Sequence, residues 1–373
     1  MSSVAWVKSQ LKQTKQAAEF AFNELGTKNI LLCSHLEPKL AAMGCHLSEI
    51  GFNVSAISNL PTSFKKECIE PLKSSGVKVF DNSDYDFNDS ELWLTKILNE
   101  NNYDFIFDDG VHTSLKKCPQ NPERIISEFT QSGINEINKY KQKLNSTVFN
   151  LNSSYTKAVI GNLYGTGIST LSAIQNITNK SFRGLKVGVV GYGPIGKSVA
   201  REFKSLGSQV SILEIDKSKI DNKKGLEFLE KNKFLSINEL IITCTGNKHV
   251  INQEDFKNLK DGVILANVGH YNHEIEIPRD AKKNEIANYI EQIKLADKTS
   301  FLLCNGNLVN LMAGKGYPIE VIDYSFAASL YGWVYFCKKK NEVVELYDFP
   351  SSLDNEYFSA LKSEYIKWED TVL

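Results

Sequence analysis

The chain has 373 residues, 42% of them hydrophobic, and a formal net charge of −1. That length suits two domains with ordinary cores, and the near-neutral balance offers neither a basic face for nucleic acid nor an acidic tail for a basic partner. No apolar run reaches the length of a membrane span or a signal-peptide core, and seven dispersed cysteines without metal-ligand spacing point to reduced thiols, no metal site and a cytoplasmic protein.

In chain order, residues 4–25 are expected as one helix, with Trp6, Leu11, Ala18 and Phe22 among its apolar positions. NILLC (29–33) is a strand that runs into His35. Leu40, Met43, Leu47 and Ile50 then recur at helical spacing, and Gly51 stops that helix. Strands follow at 53–57 and 77–80, with a helix over 63–75 between them. Residues 90–100 are helical, and 104–107 form a strand that ends on Asp108-Asp109-Gly110. Helix is expected within 123–143 and a further strand at 147–151. Strands alternating with helices specify an α/β unit with a mostly parallel sheet. Ligands bind beyond the carboxyl ends of such strands, which brings His35, Asp109 and residues 152–157 to one crevice.

Residues 153–185 read as a connecting loop and a long helix, leading into KVGVVGYGPIGKSVAREFKSLGSQVSILEID (186–216). This is a strand, a G-x-G-x-x-G turn, a helix and a second strand ending on an acid, the arrangement that grips a dinucleotide. Gly191 permits the tight turn, Gly193 lets the backbone approach the pyrophosphate, and Gly196 lets helix and strand pack closely. Pro194 and Ile195 open the helix whose N-terminal amides face the phosphates. Glu214 is placed for the adenosine ribose, and an acid there favours NAD over NADP because a 2′-phosphate would meet like charge. Short strands at 240–244, 263–266 and 301–304 continue the unit. After Gly314 the chain returns to the first domain through an apolar helix at 320–336, and Phe349-Pro350 breaks the charged tail.

Four stretches together resemble the S-adenosylhomocysteine hydrolase family. They are SSYTKAVIGNLYG (153–165), the dinucleotide stretch, TCTGNKHVI with DGVILANVGHYNHEIEI (243–251 and 261–277), and GNLVNLMAGKGYP (306–318). CSH and IFDDG in the first domain fit as well. The resemblance implies tightly held NAD that oxidises a ribose 3′-hydroxyl. The ketone acidifies the neighbouring C4′ proton, the 5′ thioether leaves, water adds, and the ketone is reduced again. It also implies a nucleoside substrate and a place in one-carbon metabolism. Lys157, His35 and Asp109 match the lysine, histidine and carboxylate that serve these steps, Asn162 the asparagine beside the lysine, and His270 the histidine on the cofactor side. Thr130, Ser132, Thr245, Gly246 and Asn310 fall where the family touches NAD. Taken singly, His35 is a turn histidine, Asp109 a helix cap and Lys157 a solvated lysine; the shared context favours the functional roles.

The departures concern substrate recognition. The family's H-x-T-x-E, whose glutamate accepts from the adenine amino group, is here His35-Leu36-Glu37-Pro38-Lys39. A ribose-binding glutamate has become Phe129, the aspartate before Asn162 has become Gly161, and the histidine of Gly-His-Pro has become Tyr317. A buried, unpaired Lys39 would repel an adenine amino group and suit a carbonyl oxygen, as in a 6-oxopurine, or a carboxylate or phosphate.

The expected fold is α/β with two doubly wound lobes, one of them a Rossmann NAD-binding domain at 165–315. The substrate-binding lobe is 1–155 plus 320–373, with hinges near 153–165 and 312–320 and the active site in the cleft. The expected activity is that of an adenosylhomocysteinase-like enzyme acting by transient 3′-oxidation on a non-standard nucleoside. The alternatives are a nucleoside or sugar 3′-dehydrogenase that releases NADH and a catalytically silent NAD-binding paralogue. The family's closing lysine and tyrosine, which reach a neighbouring subunit's NAD, have no counterpart in WEDTVL. A homodimer is therefore expected, with a homotetramer as the alternative.

Overall fold

Short apolar runs bounded by turn residues become the central strands of two separate, mostly parallel sheets. The computed structural model describes residues 3–59, 65–80, 90–219, 226–269, 272–339 and 343–372. It divides into one unit of Met1–Ala158 with Ile319–Ser363 and another of Val159–Pro318 with Glu364–Leu373. Among the described residues no helix is long and apolar enough to cross a membrane.

The first unit holds a seven-stranded sheet of β1 (Asn29–Ser34), β2 (Asn53–Ser58), β3 (Lys78–Phe80), β4 (Phe105–Asp108), β5 (Asn121–Glu128), β6 (Ser146–Asn150) and β15 (Leu346–Asp348). The order is β15-β6-β5-β4-β1-β2-β3, and every pairing is parallel. The helix α11 (Ile319–Lys339) packs on it through aromatic pairs. Trp333 stacks on Phe105 and Phe336 on Phe149, each at 5.2 Å between centroids. Gly332 is bare for this reason, since a Cβ there would lie 2.5 Å from the Phe149 ring.

The second unit holds an eight-stranded sheet of β7 (Lys186–Val190), β8 (Gln209–Leu213), β9 (Glu227–Phe228), β10 (Leu240–Thr243), β11 (Val263–Asn267), β12 (Lys282–Ala287), β13 (Ile290–Leu295) and β14 (Lys298–Leu303). Its order is β12-β13-β14-β11-β10-β7-β8-β9. Strands β14 to β9 run parallel, and β12 and β13 add an antiparallel edge. The helix α8 (Pro194–Ser205) buries Val199, Ala200 and Phe203 against the sheet.

Three expectations need correction. The helix expected over 4–25 is two, α1 (Ser3–Gln10) and α2 (Lys12–Leu25), broken at Leu11. The cause is non-local: the buried Asp323 of α11 accepts from the amides of Gln13 and Thr14 at 2.9 and 2.7 Å and so caps a new helix start. Helix was expected within 123–143, where α6 (Gln131–Lys139) lies, but no strand was expected at Asn121–Glu128, which is β5. Its polar residues disguise it, because Ser127 and Glu128 lie fully buried in mid-sheet. The charged 282–295 segment, in which no strand was expected, is the β12–β13 hairpin; all six β12 residues are exposed.

The chain passes from the first unit to the second inside a π-helix, Thr156–Gly165. π-Helices are rare and concentrate at functional sites. This one carries Lys157 near its start and Asn162 beyond the passage.

Candidate active site

In the first sheet the direction of winding reverses between β1 and β4. The strand tips at such a switch point splay apart and leave a crevice. His35 follows β1 and Asp109 follows β4. Asp109 Oδ2 accepts from Ser34 Oγ at 2.8 Å and lies 3.7 Å from His35 Nε2. Asn59, just past β2, donates to the Asp109 carbonyl at 2.9 Å. His35 Nδ1 is buried and has no partner among the described residues. A carboxylate thus faces one ring nitrogen, and the other lies buried.

Two buried carboxylates strap the turn that carries Asp109. Asp108 accepts from the His112 and Thr113 amides at 3.0 and 2.7 Å. Glu128 accepts from the Gly110 and Val111 amides at 3.1 and 2.8 Å and from the Thr130 amide and hydroxyl. The strap holds a strained backbone, because Val111 is β-branched and sits at φ 64°. Burial first, and then the Asp108 charge, push the Glu128 carboxyl well above the usual carboxylate range. The same two causes push the buried Cys33 thiol up, so Cys33 is an unreactive thiol beneath the site.

Lys39 and Glu37 stand at the start of α3 (Pro38–Ile50). Lys39 is buried at 7% exposure, but the expectation of an unpaired ammonium is corrected: Glu37 Oε2 lies 3.0 Å from Nζ. Glu37, two residues upstream, is thus a counter-ion of Lys39. Lys157 is buried too, with its ammonium 4.3 Å above the Phe129 ring, and Phe129 packs in turn on Phe107. Thr130 caps α6, accepting from the Gly133 amide at 2.9 Å, and Ser132 donates to the Thr130 hydroxyl. Both therefore belong to the first unit.

In the second sheet the winding reverses between β7 and β10. Gly191, at φ 90°, makes the turn after β7, and a Cβ on it would come 2.9 Å from Thr245 Cγ2. Gly193 has nothing within 4 Å of its Cβ position, so the space above it is open to a ligand. A Cβ on Gly196 would overlap the Gly191 carbonyl, which is the close helix–strand approach. Gly193 caps α8 without a side chain, Pro194 is its first residue, and the Ile195 and Gly196 amides have no acceptor within the helix. Glu214 accepts from the Tyr192 amide at 2.6 Å and the Asp216 amide at 2.9 Å, and a carboxylate retains acceptor capacity beyond two bonds. Beside it Ile215 is 92% exposed, an apolar surface at the strand tip. Asn310 Oδ1 is buried and has no partner among the described residues. An open phosphate turn, free helix amides, an acid at the second strand tip and an orphaned amide oxygen all fit a dinucleotide.

Thr245 and Gly246 follow β10, and both amides donate to Glu274, at 3.1 and 2.5 Å. Tyr317 donates to Asn162 Oδ1 at 3.1 Å and so orients the asparagine. His270 lies outside the described residues. Glu128 and Glu274 were not singled out from the sequence, although Glu274 lies inside a quoted stretch. Only the fold reveals that they are buried acceptors for turn amides.

Residues 162–316 match the family model described as S-adenosyl-L-homocysteine hydrolase, NAD binding domain. Adenosylhomocysteinase of Thermotoga maritima is 32% identical, over 94% of this chain and 91% of the relative. The chain belongs to the adenosylhomocysteinase family. NAD is its cofactor, and its activity is that of an NAD-dependent hydrolase of this type. Adenosylhomocysteinase of Aquifex aeolicus is 30% identical over 95% of this chain and 89% of its own length. The S-inosyl-L-homocysteine hydrolase of Methanopyrus kandleri is 32% identical over 86% and 79%.

Proposed function

We propose that this member of the family cleaves the thioether of an S-nucleosyl homocysteine whose base is a 6-oxopurine. The observation that carries the reading is the Glu37–Lys39 pair, with donor and acceptor 3.0 Å apart. By resemblance, position 39 faces the 6-substituent of the base. A 6-oxopurine presents an acceptor oxygen there and an N1–H donor beside it, which complement an ammonium and a carboxylate in that order. Adenine presents the reverse, so its amino group would meet Lys39 donor to donor. A relative named for S-inosyl-L-homocysteine, at 32% identity, lends support.

NAD supplies reversible oxidation of the sugar alcohol. Lys157, held over the Phe129 ring, donates to the 3′-oxygen and takes and returns its proton. His35 takes the C4′ proton and delivers one to the leaving sulfur. Asp109, fixed by Ser34 and Asn59, orients the imidazole and stabilises it when it is charged. The remaining residues bind: Asn162, set by Tyr317, and His270 at the sugar, and Gly191, Gly193, Ile195, Gly196, Glu214, Thr245, Gly246 and Asn310 at the dinucleotide. Phe129 replaces a hydrogen-bonding carboxylate with an apolar wall and keeps water from the lysine. The seven free cysteines suit a reducing compartment and so support a cytoplasmic location.

The test is turnover of the homocysteine thioethers of inosine, guanosine and adenosine side by side. Preference for the inosine or guanosine compound is expected. Best activity on the adenosine compound would sink the reading.

A further inference from the structure

We infer that Glu274 is a positioning residue for NAD: its buried carboxylate fixes the Thr245–Gly246 turn against the Gly191 turn. The inference rests on the reading that these two turns line the dinucleotide. Glu274 is fully buried. Its Oε2 accepts from the Thr245 amide at 3.1 Å and hydroxyl at 2.9 Å, and its Oε1 accepts from the Gly246 amide at 2.5 Å. Two successive amides thus converge on one carboxylate, one to each oxygen. The turn so held is the one whose Thr245 methyl abuts Gly191, where the tight turn after β7 begins.

The carboxylate is itself located. Gly269 lies directly against it, and a Cβ there would overlap Oε1. Asn267 holds Gly269 in place, accepting from its amide at 2.8 Å and donating to its carbonyl at 3.0 Å. Burial raises the Glu274 carboxyl, and the bonds from Thr245 and Gly246 pull it back. A group that costs desolvation in order to organise two amides beside a ligand turn is suited to arranging the ligand rather than to stabilising the fold. The first unit repeats the construction. There Glu128 accepts from the successive amides of Gly110 and Val111 and from the Thr130 hydroxyl, and it abuts Gly133.

The test is Glu274→Gln, which keeps the shape but turns one acceptor oxygen into an NH2 facing a backbone N–H. Calorimetric titration of the NAD-free protein with NAD should show affinity lower by roughly ten- to hundredfold. The melting temperature without NAD should stay within a few degrees of the parent. Affinity within about twofold of the parent, against that tenfold floor, would overturn the inference. So would a loss of melting temperature with no separate loss of affinity. If the variant does not fold, hydrogen exchange on the NAD-free parent decides. The Thr245 and Gly246 amides should be protected like core strands, and exchange at the rate of an exposed loop refutes the brace. Gly193→Val serves as control, because its side chain would enter the open space above the phosphate turn. Unchanged NAD affinity in that variant would remove the dinucleotide reading itself. Loss there with none in Glu274→Gln removes the brace alone.

Discussion

Exchanging the pair at 37 and 39 should exchange the preferred base. The perturbation is Glu37→Thr with Lys39→Glu, made together so that two carboxylates do not meet where Nζ and Oε2 now lie 3.0 Å apart. Lys39 is 7% exposed, so a hydrogen bond from its ammonium to a purine O6 is sheltered from water. A hydrogen bond to a charged group contributes about 1.5–3 kcal/mol, and an amino group in place of the oxygen adds the cost of an unpaired buried donor. The swing is about 3–4 kcal/mol, roughly 10²- to 10³-fold in kcat/KM between the inosine and adenosine thioethers. The double variant should lose that preference and favour adenosine. The assay is homocysteine release from each compound at limiting concentration. An inosine-to-adenosine ratio that the double variant leaves unchanged would refute the assignment of these side chains to the base.

Glu128→Gln places an NH2 against the Gly110 or Val111 amide and loosens the turn behind Asp109; kcat should fall at least tenfold or so, with KM changed far less, in steady-state kinetics. Gly196→Ala should lower the melting temperature, because its Cβ overlaps the Gly191 carbonyl, whereas Gly193→Val should fold normally and lose NAD. Asp323→Ala leaves the Gln13 and Thr14 amides without their cap and should cost about 2–3 kcal/mol in urea unfolding. Burial lowers the pKa of His46, whose Nε2 pairs with the Lys8 carbonyl at 2.9 Å, so the imidazole is neutral in the fold. Its contribution to stability is then present above the unfolded value of about 6.5 and is lost as pH falls below it. Melting temperature should drop on acidification through that window, and His46→Gln should flatten the drop.

What could be read from the sequence was what is encoded locally. The G-x-G-x-x-G turn, its flanking strands and Glu214 lie within one unbroken stretch; Gly191 and Gly196 sit where a Cβ would collide, and Gly193 faces open space. His35 and Asp109 were placed together by the rule that ligands gather at strand ends, and the switch point between β1 and β4 brings them to 3.7 Å. What escaped depends on distant partners. The break at Leu11 is imposed by Asp323, more than three hundred residues away. Strand β5 was obscured because Ser127 and Glu128 are polar yet buried, the first bonded to Ser329 at 2.7 Å and the second to turn amides. The pairing of Lys39 with Glu37 was open to inspection, but within a helix residues two apart face different ways, and only the extended Glu37 backbone before the helix brings the two together.

In the proposed reaction a nicotinamide cofactor is reduced and restored within each turnover while a thioether is cleaved. The most direct measurement follows the near-ultraviolet absorbance of reduced nicotinamide together with homocysteine release after the inosine thioether is added to the NAD-loaded protein. Reduced nicotinamide should rise to a constant fraction of the protein while homocysteine continues to accumulate. Reduced nicotinamide accumulating in step with an oxidised nucleoside, without homocysteine, would contradict it.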